Sequence, residues 1–310
     1  MRKQTPQIKP YKPVKYYFIA DPSYWPIVGS VGLFCTVLGL VQILHDGAIG
    51  PYLMGAGIII LLTVMYGWFG AVVKESLQGL HSEQMDRTYR WGMMWFIVSE
   101  VALFGVFFLA LFYTRIFSIP TLGGESYEFA KELLMSKGPA THHYLWPQFQ
   151  AMWPLLKNPN PQLFPGPHEI VPTWGIPALN TLILLSSAVT LTWSHWGLKK
   201  NNRRQMIIGL ALTIILGFIF EGFQIHEYIK AYSEYHLTLS SGIYGSTFFT
   251  LTGLHAMHVT IGAIMLGIIL IRCLKGHFLP EHHFGYEAVS WYWHFVDVVW
   301  LFLFIFVYWL

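Results

Sequence analysis

The sequence predicts an all-α membrane protein, a bundle of seven transmembrane helices, and three observations carry that reading. Hydrophobic residues make up 54% of the 310-residue chain and charged residues only 11%, less than half of the roughly 25% charged share of an ordinary soluble domain. Seven apolar stretches, at about 27–44, 50–73, 91–114, 176–196, 206–229, 243–271 and 288–310, reach the roughly 17 to 25 residues that crossing a bilayer requires. Alternating strand patterns are absent, and in lipid only a helical bundle or a closed barrel satisfies every backbone group.

Residues 1–26 are polar, basic and proline-bearing. They lack the apolar core and small-residue cleavage site of a signal peptide, so they read as a cytoplasmic segment and the first helix directs insertion. Residues 27–73 supply helices 1 and 2, and residues 74–310 supply helices 3–7 with a long outer loop at about 115–175. In the third helix Glu100 sits roughly 14 Å in from Trp91 at 1.5 Å per residue, near the bilayer centre. A carboxyl there is either protonated or paired. Its helical neighbours Phe96, Ile97, Leu103 and Phe104 cannot pair with a charge, so desolvation favours the protonated form.

The long loop is rich in proline and carries Trp146, Trp153 and Trp174; loops of this length are usually functional or disordered. Its run from Pro159 to Pro172 has prolines too closely spaced for a helix and is expected to be an extended cover. The fifth apolar stretch holds Glu221 and then His226-Glu227, and the sixth holds His255 and His258 on one helical face. Interhelical hydrogen bonds, a proton relay or metal ligation are all open to these residues.

The last twenty residues, Trp291 to Leu310, are interrupted only by His294 and Asp297. An ionisable group in hydrocarbon costs roughly 2.5–3.5 kcal/mol on insertion scales. Both residues should therefore face protein or trapped water, and their i,i+3 spacing makes this a helix that docks.

Lysine and arginine set the orientation, because they accumulate on the cytoplasmic side. Fourteen lie on one side: Arg2, Lys3, Lys9, Lys12 and Lys15, three in 74–90, four in 197–205, and Arg272 with Lys275. Five lie on the other: Arg115, Lys131, Lys137, Lys157 and Lys230. The N-terminus is thus expected inside and the C-terminus outside. The net charge of +3 reflects this bias and argues for no nucleic-acid partner. Cys35 and Cys273 lie in different apolar segments and read as free thiols. The histidines mapped to the connections and helix ends divide between both membrane faces, separated by roughly 30 Å of hydrocarbon, so no di-iron site is expected, and with the two cysteines in separate helices no paired-cysteine copper site is expected either.

Five stretches are informative together: Pro22-Ser-Tyr-Trp-Pro26; Lys74-Glu-Ser76 through His81; Phe96 through Val101; Gly242 through Phe249 with Thr252, His255 and His258; and His282-His-Phe-Gly-Tyr-Glu287 with Trp291 through Trp300. In that order on a chain of seven helices, they resemble the cytochrome c oxidase subunit III family of the heme-copper oxidases. The resemblance implies a non-catalytic subunit without heme or copper of its own, those cofactors residing in partner subunits. It implies a first pair of helices splayed from the other five around a cleft filled by phospholipid. It further implies that the chain stabilises the catalytic subunit and supports proton uptake during oxygen reduction and proton pumping.

Oxidase subunits I and II are the implied partners, with membrane phospholipids, and cytochrome c as the electron donor. By the same resemblance Lys74, Glu75 and His81 fall at the lipid headgroup, Glu100 at the intramembrane carboxyl, and His255, His258, His294 and Asp297 at polar interhelical or docking positions. Animal mitochondrial members carry arginine where Lys74 stands, which bears on headgroup recognition, since lysine lacks the bidentate fork. The longer outer loop resembles bacterial versions, so a bacterial cytoplasmic membrane is expected, with the mitochondrial inner membrane as the alternative. A quinol-oxidising relative would commonly lack helices 1 and 2, and a proton-coupled transporter would show internal repeats.

Overall fold

The computed structural model describes residues 22–125 and 138–310. The stretch 1–21 with its five basic residues, and Lys131 and Lys137 of the long loop, lie outside the described residues. Seven helices among the described residues are long and apolar enough to span a membrane, and the chain forms two compact units, Met1–Trp91 and Gly92–Leu310.

In the first unit, α1 (Trp25–Leu44) and α2 (Gly50–Leu77) form an antiparallel hairpin. Each begins with a proline in its first turn, where the missing N–H has no intrahelical partner to lose. The turn between them places Asp46 in the left-handed region at φ 56°. The two helices touch through small residues, as lipid-embedded pairs commonly do. A Cβ on Gly39 would run into the backbone of Met54, and one on Gly57 into Thr36.

Helix α3 (Glu83–Tyr113) continues through a π-helical turn, Thr114–Ser118, and a last α turn, Ile119–Leu122. Its apolar run begins at about residue 91, yet the helix starts a further two turns earlier. Ser82 Oγ accepts from Met85 N at 3.3 Å, Glu83 and Asp86 occupy the first turn, and Asp86 pairs with Arg90 at 2.9 Å. Capping, the helix dipole and an i,i+4 ion pair carry the helix past the hydrocarbon. The expected 74–90 connection therefore shrinks to residues 78–82.

The second unit adds a short helix α4 (Gly138–Leu145) and four long ones: α5 (Ile176–Lys199), α6 (Arg203–Ser233), α7 (Ile243–Leu274) and α8 (Phe284–Leu303), the last continuing as a π turn, Phe304–Trp309. The proline run over residues 159–172 carries no helix. Asn158 ties it down, donating from Nδ2 to the carbonyls of Phe164 at 2.8 Å and Ser241 at 3.2 Å.

Helix α8 is the core of this unit: half of its most apolar stretch is buried within the chain, against 11% for α3. It meets α5 in a ladder. Trp300 Nε1 donates to Thr181 Oγ1 at 2.9 Å, Trp293 Nε1 to Ser187 Oγ at 2.9 Å, and Tyr286 OH to Ser194 Oγ at 2.7 Å. The aromatic residues recur every seven positions on α8, and the hydroxyls every six or seven on α5. Two antiparallel helices thus present matching faces along their common length. Gly217 of α6 and Gly262 of α7 complete the core, because a Cβ on either would come within 3 Å of the Trp293 ring.

Candidate functional site

Two polar groupings stand out, one in each unit. The first lies where α2 ends and α3 begins. Lys74 is in the last turn of α2 and exposed, where a cation complements the helix C-terminus. Behind it His81 Nε2 lies 3.7 Å from Glu75 Oε2, with the imidazole buried and edge-on to Tyr89 at 5.3 Å. Three residues singled out in the sequence are thus brought to one helix end.

Burial pushes the His81 imidazole below the ordinary histidine value, against the opposing pull of Glu75 and Asp86. The unfolded chain binds a proton there more readily than the folded one. Stability is therefore intact above about pH 6.5 and falls as pH drops toward the lowered folded value, by at most ~1.4 kcal/mol per pH unit. Thermal unfolding followed between about pH 6.5 and 5 should show this slope, and His81→Gln should flatten it. An unchanged slope in the variant would mean that His81 is not the group titrating.

The second grouping is inside the second unit. His258 Nε2 lies 3.0 Å from Glu100 Oε2, while Nδ1 lies 2.7 Å from the Leu254 carbonyl of its own helix. Phe104 meets the imidazole edge-on at 5.1 Å, and Tyr292 stacks on it at 6.2 Å. Glu100 is therefore paired rather than alone. The partner comes from α7, 158 residues away, beyond the reach of an argument confined to the carboxyl's own helix.

His255 and His258 share a helical face but not an environment. His255 is buried with its ring tilted against Trp300 at 5.3 Å and edge-on to Phe220 at 6.0 Å. Neither of its ring nitrogens has a hydrogen-bond partner among the described residues. His294 Nδ1 lies 3.4 Å from Asp297 Oδ2, and its Nε2 lies 3.4 Å from Thr192 Oγ1 on α5. Asp297 and Trp293 are buried within this chain's own bundle, whereas the His294 side chain is 40% exposed. Of the expected docking face, only His294 is presented outward.

A further buried network gathers Glu227, named in the sequence as a candidate for an interhelical hydrogen bond, with two residues that were not singled out there, Gln224 and Tyr308. Tyr308 OH donates to Glu227 Oε1 at 2.6 Å, and Gln224 Nε2 lies 3.3 Å from the same oxygen. It fastens the C-terminal π turn to α6. The signal for it was faint: Gln224 and Glu227 are i,i+3, and Tyr308 is one aromatic in a long aromatic run. Among the described residues no group of three or more histidine, cysteine, aspartate or glutamate side chains converges as metal ligands would, and both cysteines are free thiols.

The family model described as cytochrome c oxidase subunit III matches residues 15–130 and 156–310, leaving part of the long loop, residues 131–155, outside the match. Curated relatives agree along nearly the whole chain. The chain is 39% identical to cytochrome c oxidase subunit 3 of Arabidopsis thaliana, and 40% identical to the proteins of the same name from Struthio camelus and Marchantia polymorpha. Each alignment runs over 294 residues, 94% of this chain and 96% of the relative. With seven membrane-spanning helices, an all-helical fold and matches of this extent, the chain belongs to the cytochrome c oxidase subunit III family.

Proposed function

We propose that this protein is the non-catalytic third subunit of a proton-pumping cytochrome c oxidase, with heme and copper held by partner subunits I and II and electrons delivered by cytochrome c. The observation that carries the reading is the family match on both sides of the long loop. Helices α1 and α2 favour cytochrome c over a quinol as donor, since quinol-oxidising relatives commonly lack them. The subunit stabilises the catalytic subunit during turnover and supports its proton uptake. The excess of lysine and arginine favours an N-terminus inside, and the long outer loop, which resembles bacterial versions, favours a bacterial cytoplasmic membrane over a mitochondrial one. Affinity purification through this chain from native membranes tests the assignment. Heme absorbance and oxidation of reduced cytochrome c should accompany it, and a preparation free of heme would overturn it.

Lys74, Glu75 and His81 form the phospholipid headgroup site in this reading. Lys74 offers the phosphate an exposed charge, and the Glu75–His81 contact fixes the helix end that carries it. Lys74→Gln should weaken phospholipid retention about fivefold, the effect of removing one cation worth ~1 kcal/mol near an anionic headgroup. Quantitative lipid mass spectrometry of the washed complex reads this directly, and retention equal to wild type would remove Lys74 from the site.

A further inference from the structure

Helices α6 and α7 bring a carboxyl to the outside of the second unit at a depth where the one side chain hydrogen-bonded to it is Thr260, among the described residues. Glu221 lies 12 residues from Ser233 and 18 from Arg203, the ends of α6, or roughly 18 Å and 27 Å along the helix axis. With about 30 Å of hydrocarbon to cross, that position is well inside the bilayer. Its helical neighbours Phe218 and Ile225 are 60% and 59% exposed. Across the groove, Thr260 of α7 sits among exposed Met257, Ile261 and Ile264.

The carboxyl's partner is Thr260, whose Oγ1 lies 3.2 Å from Glu221 Oε1. The same hydroxyl lies 2.9 Å from the Ala256 carbonyl, and its single hydrogen cannot be given to both acceptors. Ionisable residues at such depth almost always face a bundle interior or a water-filled cavity. Here the carboxyl borders a band of apolar side chains that would otherwise meet acyl chains, which donate no hydrogen bond. The neighbouring Gly222 is exposed, and a Cβ added there would meet nothing within 4 Å, so another backbone can approach closely beside the carboxyl. His294, the other outward polar residue of this unit described above, has Asp297 and Thr192 beside it and lacks this deficit.

We infer that the α6–α7 groove around Glu221, Thr260 and Gly222 is the docking face for a membrane-spanning helix of another oxidase subunit, one that presents a hydrogen-bond donor to the Glu221 carboxyl. The inference rests on the assembly reading above and adds to it the face and the chemistry of the partner. A photo-activatable side chain placed at Phe218 or at Met257, in the complete complex in native membranes, should form a covalent adduct with a second polypeptide. Glu221→Leu and Gly222→Leu should each lower recovery of this chain with its partners about three- to tenfold, the range of one interhelical polar contact in lipid. Glu221→Gln, which can still accept a hydrogen bond, should stay near wild type. Intact assembly with adducts to lipid alone at both positions would overturn the docking face by itself. A wild-type preparation without any heme-bearing partner would overturn the assembly reading and this face with it.

Discussion

Trp293→Ala is expected to lower the stability of the second unit by about 3–5 kcal/mol, the cost of truncating a fully buried tryptophan. The indole is inaccessible to solvent and fills the space that Gly217 and Gly262 leave by lacking side chains. Neither glycine can move a side chain into the cavity, so the site cannot collapse onto itself. The lost bond to Ser187 matters less, because the serine hydroxyl still donates to the Leu184 carbonyl at 2.6 Å. Trp293→Phe keeps most of the apolar volume and should cost about 1–2 kcal/mol, the lost hydrogen bond together with the small cavity left by the shorter ring. Denaturant titration of the purified complex, followed by loss of this subunit, measures both. An alanine variant as stable as the phenylalanine one would show that the ring is not the keystone between α5, α6, α7 and α8.

The spans themselves were legible because hydropathy acts locally: an apolar run long enough to cross lipid becomes a helix whatever surrounds it. Helix ends were not, since the first turns of α3 are polar and are held by Ser82 and the Asp86–Arg90 pair rather than by apolarity. The α8 face was only half legible for a different reason. Asp297 had to face protein or trapped water, but its own helix could not say which protein, and it is buried with Trp293 in this chain's own bundle. The sequence did hold the clue, in aromatic residues at 286, 293 and 300 and hydroxyls at 181, 187 and 194. Two rows spaced by six or seven residues in helices about a hundred residues apart mean something only once the helices are known to be antiparallel neighbours. Glu100 and His258 share that difficulty, because each is an isolated polar group in its own helix and becomes a pair only through packing.

That pair is expected to show strong non-additivity. The nitrogen facing the Leu254 carbonyl at 2.7 Å must carry a hydrogen. If the imidazole is neutral, its Nε2 is an acceptor and Glu100 must be the protonated donor; if the imidazole is charged, Glu100 is the carboxylate acceptor. Either way one proton lies between Nε2 and Oε2 and the pair carries no net charge, which suits its depth in the membrane. Glu100→Leu removes the partner and leaves Nε2 without one at a site where His258 is almost fully buried. The cost should be about 2 kcal/mol, within the roughly 1–3 kcal/mol of an unsatisfied buried polar group. His258→Leu should cost a similar amount, stranding the carboxyl instead. The double variant should cost about 1–2 kcal/mol less than the sum, the upper range of coupling energies measured for polar pairs in membranes. Glu100→Gln should stay near wild type, since its amide can donate to Nε2. Strict additivity in this cycle, read by the same denaturant titration, would mean that the 3.0 Å contact contributes nothing and that each group is stabilised by its own surroundings.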